Sequence, residues 1–136
     1  MARDGAEPSY ARALAMAEQL LGIPLEQFLE LGPGEPENAA DFKRLATAHT
    51  FGDSWPRTDV LDTQTRALVS VTIAAVLGTL EPLRGQLRIA LNRGVTPEEI
   101  VEVFIHIEAY AGAARAFEGY QIAKQVFEEA VDTKKV

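Results

Sequence analysis

The chain has 136 residues, of which 47% are hydrophobic and 24% are charged, a balance typical of a globular protein with one buried core. Its formal net charge of −7 argues against nucleic-acid binding, because phosphate recognition needs a surplus of Lys and Arg on one face. The absence of cysteine excludes disulfides, thiolate nucleophiles and cysteine-ligated metals, and two histidines are too few for a histidine-rich metal site.

Two features of the sequence bear on membranes and location. The longest apolar stretch, around residues 68–77, is interrupted by Ser70 and Thr72 and is too short to cross a bilayer. The first residues lack the apolar segment of a secretory signal. We therefore expect a cytoplasmic protein that does not contact a membrane.

Turn signals divide the first half of the chain into helical segments. Apolar residues at helical spacing predict a helix over 8–22, and a short helical turn is expected at Leu25–Leu31. The Gly- and Pro-rich run at 32–36 predicts an internal loop. Helix is expected again over Ala39–Phe51, and the segment Gly52–Arg57 is expected to break it.

The second half begins with the most apolar segment of the chain. Thr63–Leu77 is apolar on nearly every face, which predicts a central buried helix that ends at Gly78. Pro82 opens the next predicted helix, which runs to Arg93. Gly94 follows at the position where a left-handed residue commonly terminates a helix.

A capping motif marks the clearest helix start in the sequence. Thr96 offers an N-cap hydroxyl, Pro97 suits the first helical position, and Glu99 completes the motif at the third. This helix is expected to run from Pro97 to about Ala111. A last helix is predicted over Ala114–Ala130.

The predicted elements together define the fold class. No segment shows the alternation of a strand, so the sequence predicts an all-α protein. Long helices joined by short turns and packed against a buried helix describe one domain over residues 1–136. We expect a compact bundle of six or seven helices with a central helical hairpin.

Four short motifs follow one another between residues 51 and 119. They are an aromatic-Gly-acid-x-Trp-x-Arg stretch, the start of an apolar helix, a capped helix start with its preceding turn, and a Tyr-x-Gly motif, at Phe51–Arg57, Leu61–Arg66, Ala90–Glu102 and Tyr110–Ala116. In order and spacing they resemble the carboxymuconolactone decarboxylase family. The resemblance implies an alkylhydroperoxidase D-like subunit that assembles into a homotrimer or homohexamer through its helical hairpin.

The family that these motifs resemble has two chemical branches. Its peroxidase branch uses a Cys-x-x-Cys pair, a glutamate and a histidine, and the matching positions here hold Thr79, Pro82, Ala67 and Gln86. Thiol–disulfide chemistry requires a thiol, so this branch is excluded. The other branch decarboxylates a carboxylated muconolactone without metal or organic cofactor. Gln86 stands where that branch usually has a histidine, and Ala114 replaces its usual proline.

Glu108 is a candidate catalytic residue because of its place on the predicted helix over 97–111. At helical spacing it falls between Phe104 and Val101, inside the apolar face. A carboxylate on a buried face must be paired or must hold its proton more readily than usual, which suits acid–base chemistry. The alternatives are a salt bridge to an arginine of another helix, Arg88 or Arg115, and a wet subunit boundary.

His106 is the second candidate for proton transfer, since imidazole exchanges protons readily near neutral pH. It lies four residues after Glu102 and four before Tyr110, so the three side chains share one flank of the helix. Tyr110 is accordingly a candidate substrate contact. The alternative is an interface or capping histidine held by Glu102.

Three residues at the predicted helix break are further candidates. Side chains at such a break can converge on a cleft, and the resemblance implies that Asp53, Trp55 and Arg57 edge the substrate pocket. Trp55 is equally consistent with a core position. Arg57 can clamp a substrate carboxylate or enolate, since guanidinium offers two parallel donors and keeps its charge.

Two other residues are candidate substrate contacts. His49 is predicted on the inner face of its helix, between Phe42 and Leu45, where a core histidine is the commoner alternative. Gln86 can orient a substrate oxygen, but a neutral amide cannot carry a proton.

The sequence thus predicts a cofactor-independent enzyme that acts on a small, cyclic, oxygenated substrate. The reaction is decarboxylation, isomerisation or ring closure through an enol-like intermediate. Proton transfer falls to His106 or Glu108, while Arg57 and Gln86 stabilise the developing oxyanion. The alternative is a non-catalytic, oligomeric ligand-binding or accessory member of the family. Gln86, Thr79 and Pro82 favour this alternative, and Glu108 argues against it.

Overall fold

The computed structural model describes the backbone of residues 2–135 and the side chains of residues 8–132. Every regular element in this part of the chain is helical, which confirms the all-α class. Within the described residues, none of the helices has the length and apolar character of a membrane span. The elements are α1 (Ala2–Leu21), a 3₁₀ helix (Glu26–Leu29), α2 (Asn38–Thr47), a π-helix (Ala48–Ser54), α3 (Thr63–Leu77), α4 (Leu80–Asn92), α5 (Pro97–Ala111) and α6 (Ala113–Lys135).

The chain forms two compact units, Met1–Asp62 and Thr63–Val136. The first contains α1, the 3₁₀ helix, α2 and the π-helix, and the second contains α3 to α6. Each unit buries apolar side chains of its own. The sequence-based assignment of one domain to residues 1–136 stays a prediction.

The first unit is built on close packing between α1 and the π-helix. Small residues on one face of α1 permit the approach, and Ala13 and Ala17 are fully buried there. Opposite them, a Cβ atom at Gly52 would collide with the carbonyl oxygen of Ser9. Glycine at position 52 therefore sets how close the two helices come.

The π-helix corrects the predicted break at Gly52. Helical conformation continues to Ser54, and the amide of Trp55 donates to the carbonyl of Thr50, five residues earlier, at 3.1 Å. An i→i+5 turn is wider than an α-turn and is frequent at functional sites. Gly52 does not end the helix, because its missing side chain serves the packing against α1 rather than a turn.

Most helix boundaries in the second unit were predicted to within two residues, but α6 continues five residues beyond its predicted end at Ala130. α3 spans the predicted residues, and Gly94 has a φ of 92° and ends the turn after α4, as expected. The predicted capping box at the start of α5 is also confirmed. Thr96 Oγ1 accepts from the amide of Glu99 at 3.1 Å, and Glu99 Oε1 accepts from the amide of Thr96 at 2.9 Å.

The helix α3 presents three apolar strips, of which one is buried. The buried strip consists of Ala67, Val71, Ala74 and Ala75. A second strip consists of Leu68, Thr72 and Val76 and faces α5. The third is exposed and consists of Val69, Ile73 and Leu77. The expectation that α3 is buried on nearly every face is therefore wrong for the single chain, since three helices are too few to cover it on all sides.

Candidate functional site

A groove of about 830 Å³ opens between α3 and α5 in the second unit. One wall is the second apolar strip of α3, formed by Leu68, Thr72 and Val76. These residues are four positions apart and so lie on one side of the helix. The Thr72 hydroxyl donates to the carbonyl of Leu68 at 2.8 Å, so its hydrogen is already used in a bond within the helix.

The opposite wall of the groove carries most of its polar side chains. It is a flank of α5 on which Glu99, Glu102, His106 and Tyr110 follow one another at intervals of three or four residues. The predicted alignment of Glu102, His106 and Tyr110 on one flank is confirmed. Val103 and Ile107 lie beside them and add apolar surface to the groove.

His106 and Tyr110 form an aromatic pair at the groove. Their ring centroids are 4.9 Å apart, and the rings are tilted by 49°. Both residues are exposed, Tyr110 to 84%. A planar ligand can therefore reach the imidazole and the phenol ring from solvent, and the imidazole can exchange protons with it.

Two carboxylates give the groove a negative character. Both are exposed; Glu99 is held in place by the capping box, and Glu102 lies one turn before His106. Among the described residues of the second unit, neither Lys nor Arg lines the groove. In the part of the chain that the structure describes, no three His, Asp or Glu side chains lie close enough to hold a metal ion.

Glu108 lies on the other side of α5 from His106. Two residues along a helix correspond to a rotation of about 200°, so the two side chains point in nearly opposite directions. Glu108 is exposed and, among the described residues, does not line the groove. The expectation that it lies inside the apolar face is wrong, because the buried strip of α5 is narrow and consists of Ile100, Phe104 and Ile107. Its catalytic role stays a prediction.

The two arginines considered as partners of Glu108 lie elsewhere. Arg88 donates to Glu129 at 2.9 Å, and this pair joins α4 to α6. The guanidinium of Arg115 lies against Gly78, just beyond the end of α3.

Gln86 belongs to the interior side of α4. Its neighbours one turn away, Leu83 and Ala90, are fully buried. The side-chain oxygen of Gln86 is buried as well and has no hydrogen-bond partner among the described residues. Such an oxygen costs about 1–3 kcal/mol when it stays unpaired. Gln86 is not among the described groove residues, and its predicted contact with substrate stays a prediction.

Asp53 helps to hold the π-helix against α1 in the first unit. Its Oδ1 accepts from Ser9 Oγ at 3.0 Å and from Arg12 Nη2 at 3.4 Å. His49 Nδ1 lies 3.9 Å from Oδ2 of the same carboxylate. The His49 side chain is 85% exposed, so its predicted place on an inner helix face is wrong. Phe42 and Leu45, on whose face it was predicted, are themselves 71% and 53% exposed, so this face of α2 does not point into the core of the unit.

Trp55 and Arg57 differ in their surroundings within the first unit. Trp55 is only 3% exposed and stacks on Phe51, with ring centroids 6.4 Å apart and planes 9° apart. This burial supports the core alternative for Trp55. Arg57, two residues later, is exposed. The predicted substrate contacts of Asp53, Trp55 and Arg57 stay predictions.

The sequence interpretation missed the α3 wall of the groove. Leu68, Thr72 and Val76 were assigned to the core together with the rest of α3. One signal could have identified them: a helix that is apolar on all sides has more apolar surface than two or three neighbouring helices can cover. Part of such a surface must face a ligand or another subunit.

Comparisons with known proteins agree with the resemblance that the motifs carry. The model of the carboxymuconolactone decarboxylase family matches residues 40–125. A curated 4-carboxymuconolactone decarboxylase of Acinetobacter baylyi is 33% identical over 89 residues, which cover 65% of this chain and 66% of the relative. The alignment thus spans just under two thirds of that relative. The chain belongs to the carboxymuconolactone decarboxylase family.

Proposed function

We propose that the chain is a cofactor-independent enzyme that moves protons on a small, cyclic, oxygenated substrate bound in the groove between α3 and α5. The observation that carries this proposal is the position of His106. Its imidazole lies in a largely apolar groove, within reach of solvent and 4.9 Å from the ring of Tyr110. Imidazole serves as both acid and base near neutral pH, which proton transfer through an enol-like intermediate requires.

The other groove residues have simple roles in this proposal. The ring of the substrate packs between the α3 wall and Tyr110, where Leu68 and Val76 exclude water from one face. Glu102, one turn before His106, orients the imidazole or stabilises its protonated form. We prefer His106 to Glu108 for proton transfer, because the described groove includes only the histidine.

The similarity to a 4-carboxymuconolactone decarboxylase supports an activity of the lyase or isomerase type. On this proposal the enzyme works in the metabolism of aromatic or specialised compounds, in the cytoplasm. The oxyanion roles predicted from the sequence for Arg57 and Gln86 are not part of this proposal, because neither residue is among the described groove residues. The decarboxylation itself is proposed here only as one of three reactions, with isomerisation and ring closure.

A turnover assay with matched histidine variants tests the proposal. The purified protein is incubated with 4-carboxymuconolactone and with muconolactone isomers that lack the carboxyl group, and products are followed by mass spectrometry. We expect His106→Asn to lower kcat by about 100-fold or more, as the loss of a general acid–base group does. His49→Asn, which removes the exposed histidine of the first unit, is the control and should retain the rate within about twofold. Equal rates for both variants would overturn the role of His106.

A non-catalytic ligand-binding role is the second candidate. It is favoured by the open groove and by the exposure of His106 and Tyr110, since most catalytic sites shield their reacting groups from water. Binding of a ring compound without conversion during a long incubation would support this alternative.

We also propose that the chain assembles into a homotrimer or homohexamer. The exposed apolar strip of α3 supports this, because Ile73 is 53% exposed and Leu77 is 67% exposed in the single chain. Apolar strips of this kind are typical of protein–protein contacts.

A further inference from the structure

We infer that the ligand of the groove is an uncharged ring compound with hydroxyl or enol groups, and that it carries no carboxylate. This inference rests on the proposed function, because it concerns the same groove. If it holds, it narrows the three proposed reactions to isomerisation and ring closure, since decarboxylation requires a carboxylate on the substrate.

The charges of the groove provide the first argument. Glu99 and Glu102 both belong to its α5 wall, within two turns of helix. In the described second unit no Lys or Arg lines the groove. Arg115 lies against Gly78, beyond the end of α3, and is not among the described lining residues. A carboxylate bound here would be repelled by like charges without a cation to neutralise it.

The amino end of α5 does not change this balance. A helix amino terminus attracts anions through its free amides and its dipole. In this chain the capping box already uses that end: the Thr96 hydroxyl accepts from the amide of Glu99, and the Glu99 carboxylate accepts from the amide of Thr96. The carboxylate of Glu99 thus occupies the position at which the helix terminus would attract a ligand carboxylate most strongly.

The polar groups that remain favour a hydroxylated ring. Glu102 can only accept hydrogen bonds when ionised, so it pairs with a ligand group that donates one. The hydrogen of the Thr72 hydroxyl is directed to the Leu68 carbonyl, which leaves its oxygen as an acceptor towards the groove. The rings of His106 and Tyr110 offer flat surfaces for stacking. The volume of about 830 Å³ accommodates a compound of one or two rings.

Three ligands that share one ring distinguish the effect of ligand charge on binding from the effect of ligand size. Catechol is uncharged, 3,4-dihydroxybenzoate carries a carboxylate, and methyl 3,4-dihydroxybenzoate has its bulk without its charge. Binding to the full chain is measured by calorimetry at low salt, and NMR shift changes map the site. We expect the ester to bind at least about tenfold more tightly than the carboxylate, with a smaller difference at high salt.

Two glutamate variants test the cause of this preference. Glu102→Gln should reduce the preference for the ester to within about threefold, because it removes the groove carboxylate that is not engaged in the capping box. Glu98→Gln is the matched control, since Glu98 is an exposed residue of the same helix that is not among the described groove residues. It should leave the preference unchanged.

Four other results would contradict the inference, each in a recognisable way. Equal or tighter binding of the carboxylate overturns it, and so does an unchanged preference in Glu102→Gln. Absence of ligand shifts, together with concentration-dependent shifts at groove residues, identifies the groove as a contact between subunits and also overturns it. Conversion of a carboxylated substrate that depends on His106 overturns the inference and supports the proposed function. Selective binding of the ester without any turnover would instead support the inference and contradict the proposed enzymatic function.

Discussion

At the scale of single residues, the two acid–base candidates of α5 are separated by the geometry of the helix. His106 faces the groove, and Glu108 is rotated by about 200° from it. Sequence spacing alone could not decide between them, because the width of the buried strip on α5 depends on how many helices cover it. Residues at the margin of an apolar face, such as Glu108, are therefore the least certain assignments on a helical wheel.

We predict that Glu108→Gln leaves groove chemistry unaffected. Ligand affinity and kcat should stay within about twofold of the wild type, because the side chain points away from the groove. The measurement is the turnover assay, or the calorimetric titration if no turnover is found. A loss of about 100-fold in kcat would instead place Glu108 in the chemistry.

A second residue-scale prediction concerns Glu35, whose carboxylate is held by Lys43 of α2 and by an amide of its own loop. Lys43 Nζ donates to Glu35 Oε1 at 2.8 Å, and the amide of Gly32 donates to the same oxygen at 2.7 Å. The bond from Lys43, followed by that from Gly32, lowers the pKa of Glu35 below its ordinary value. As the pH falls, a carboxyl group whose pKa is lowered by folding is protonated in the unfolded state before it is protonated in the folded state. Its protonation therefore favours unfolding.

The stabilisation from Glu35 is therefore fully present above the ordinary carboxyl pKa and is lost as the pH falls through the lowered value. We predict that Glu35→Gln lowers the free energy of unfolding at neutral pH and that its difference from the wild type shrinks at about pH 3. Urea unfolding at both pH values measures this. Glu37→Gln, an exposed glutamate of the same loop, is the control, and a similar pH effect there would refute the assignment.

At the scale of elements, most helices follow directly from the sequence. The capping box fixed the start of α5, and Gly78 and Gly94 marked the ends of α3 and α4. These signals are local, so they can be recognised without knowledge of the tertiary structure. The π-helix could not be predicted in this way, because its Gly52 is required by contact with a residue more than forty positions away.

The contact at Gly52 leads to a prediction about stability. Gly52→Ala should lower the free energy of unfolding by about 1–3 kcal/mol, because the added Cβ collides with the backbone carbonyl of Ser9. The control is Gly85→Ala within α4, where a Cβ would meet no atom within 4 Å. That substitution should be neutral or stabilising by up to about 1 kcal/mol, since alanine is the better helix former. Chemical denaturation of both variants tests the contrast.

At the scale of the whole molecule, the sequence predicted the helical class and the family better than the site. The class follows from periodicity, and the family from motifs whose order extends over about half of the chain. The polar flank of α5 was predicted from its spacing, but the α3 wall of the groove was not, because no local pattern separates Leu68, Thr72 and Val76 from the core residues of the same helix. That wall becomes recognisable only once the neighbours of each helix are known.

The proposed assembly is tested by adding a charge to the exposed strip of α3. We predict that Ile73→Lys converts the native oligomer to smaller species, because a buried unpaired ammonium group is strongly unfavourable in an apolar contact. Native mass spectrometry measures the change. Gln125→Lys, an exposed position on α6 with the same change in charge, should leave the mass unchanged. A wild-type protein that is already monomeric would disprove the assembly.

The three apolar strips of α3 have a consequence for how freely this helix can change in evolution. Its inner strip is limited by packing, the strip along the groove by the shape of a ligand, and the outer strip, on the proposed assembly, by a neighbouring subunit. A substitution that improves one of these surfaces seldom leaves its two neighbours on the helix unaffected. New substrate preferences in this scaffold should therefore arise mainly on α5, where Glu102 and Tyr110 are exposed and can be exchanged without disturbing the core.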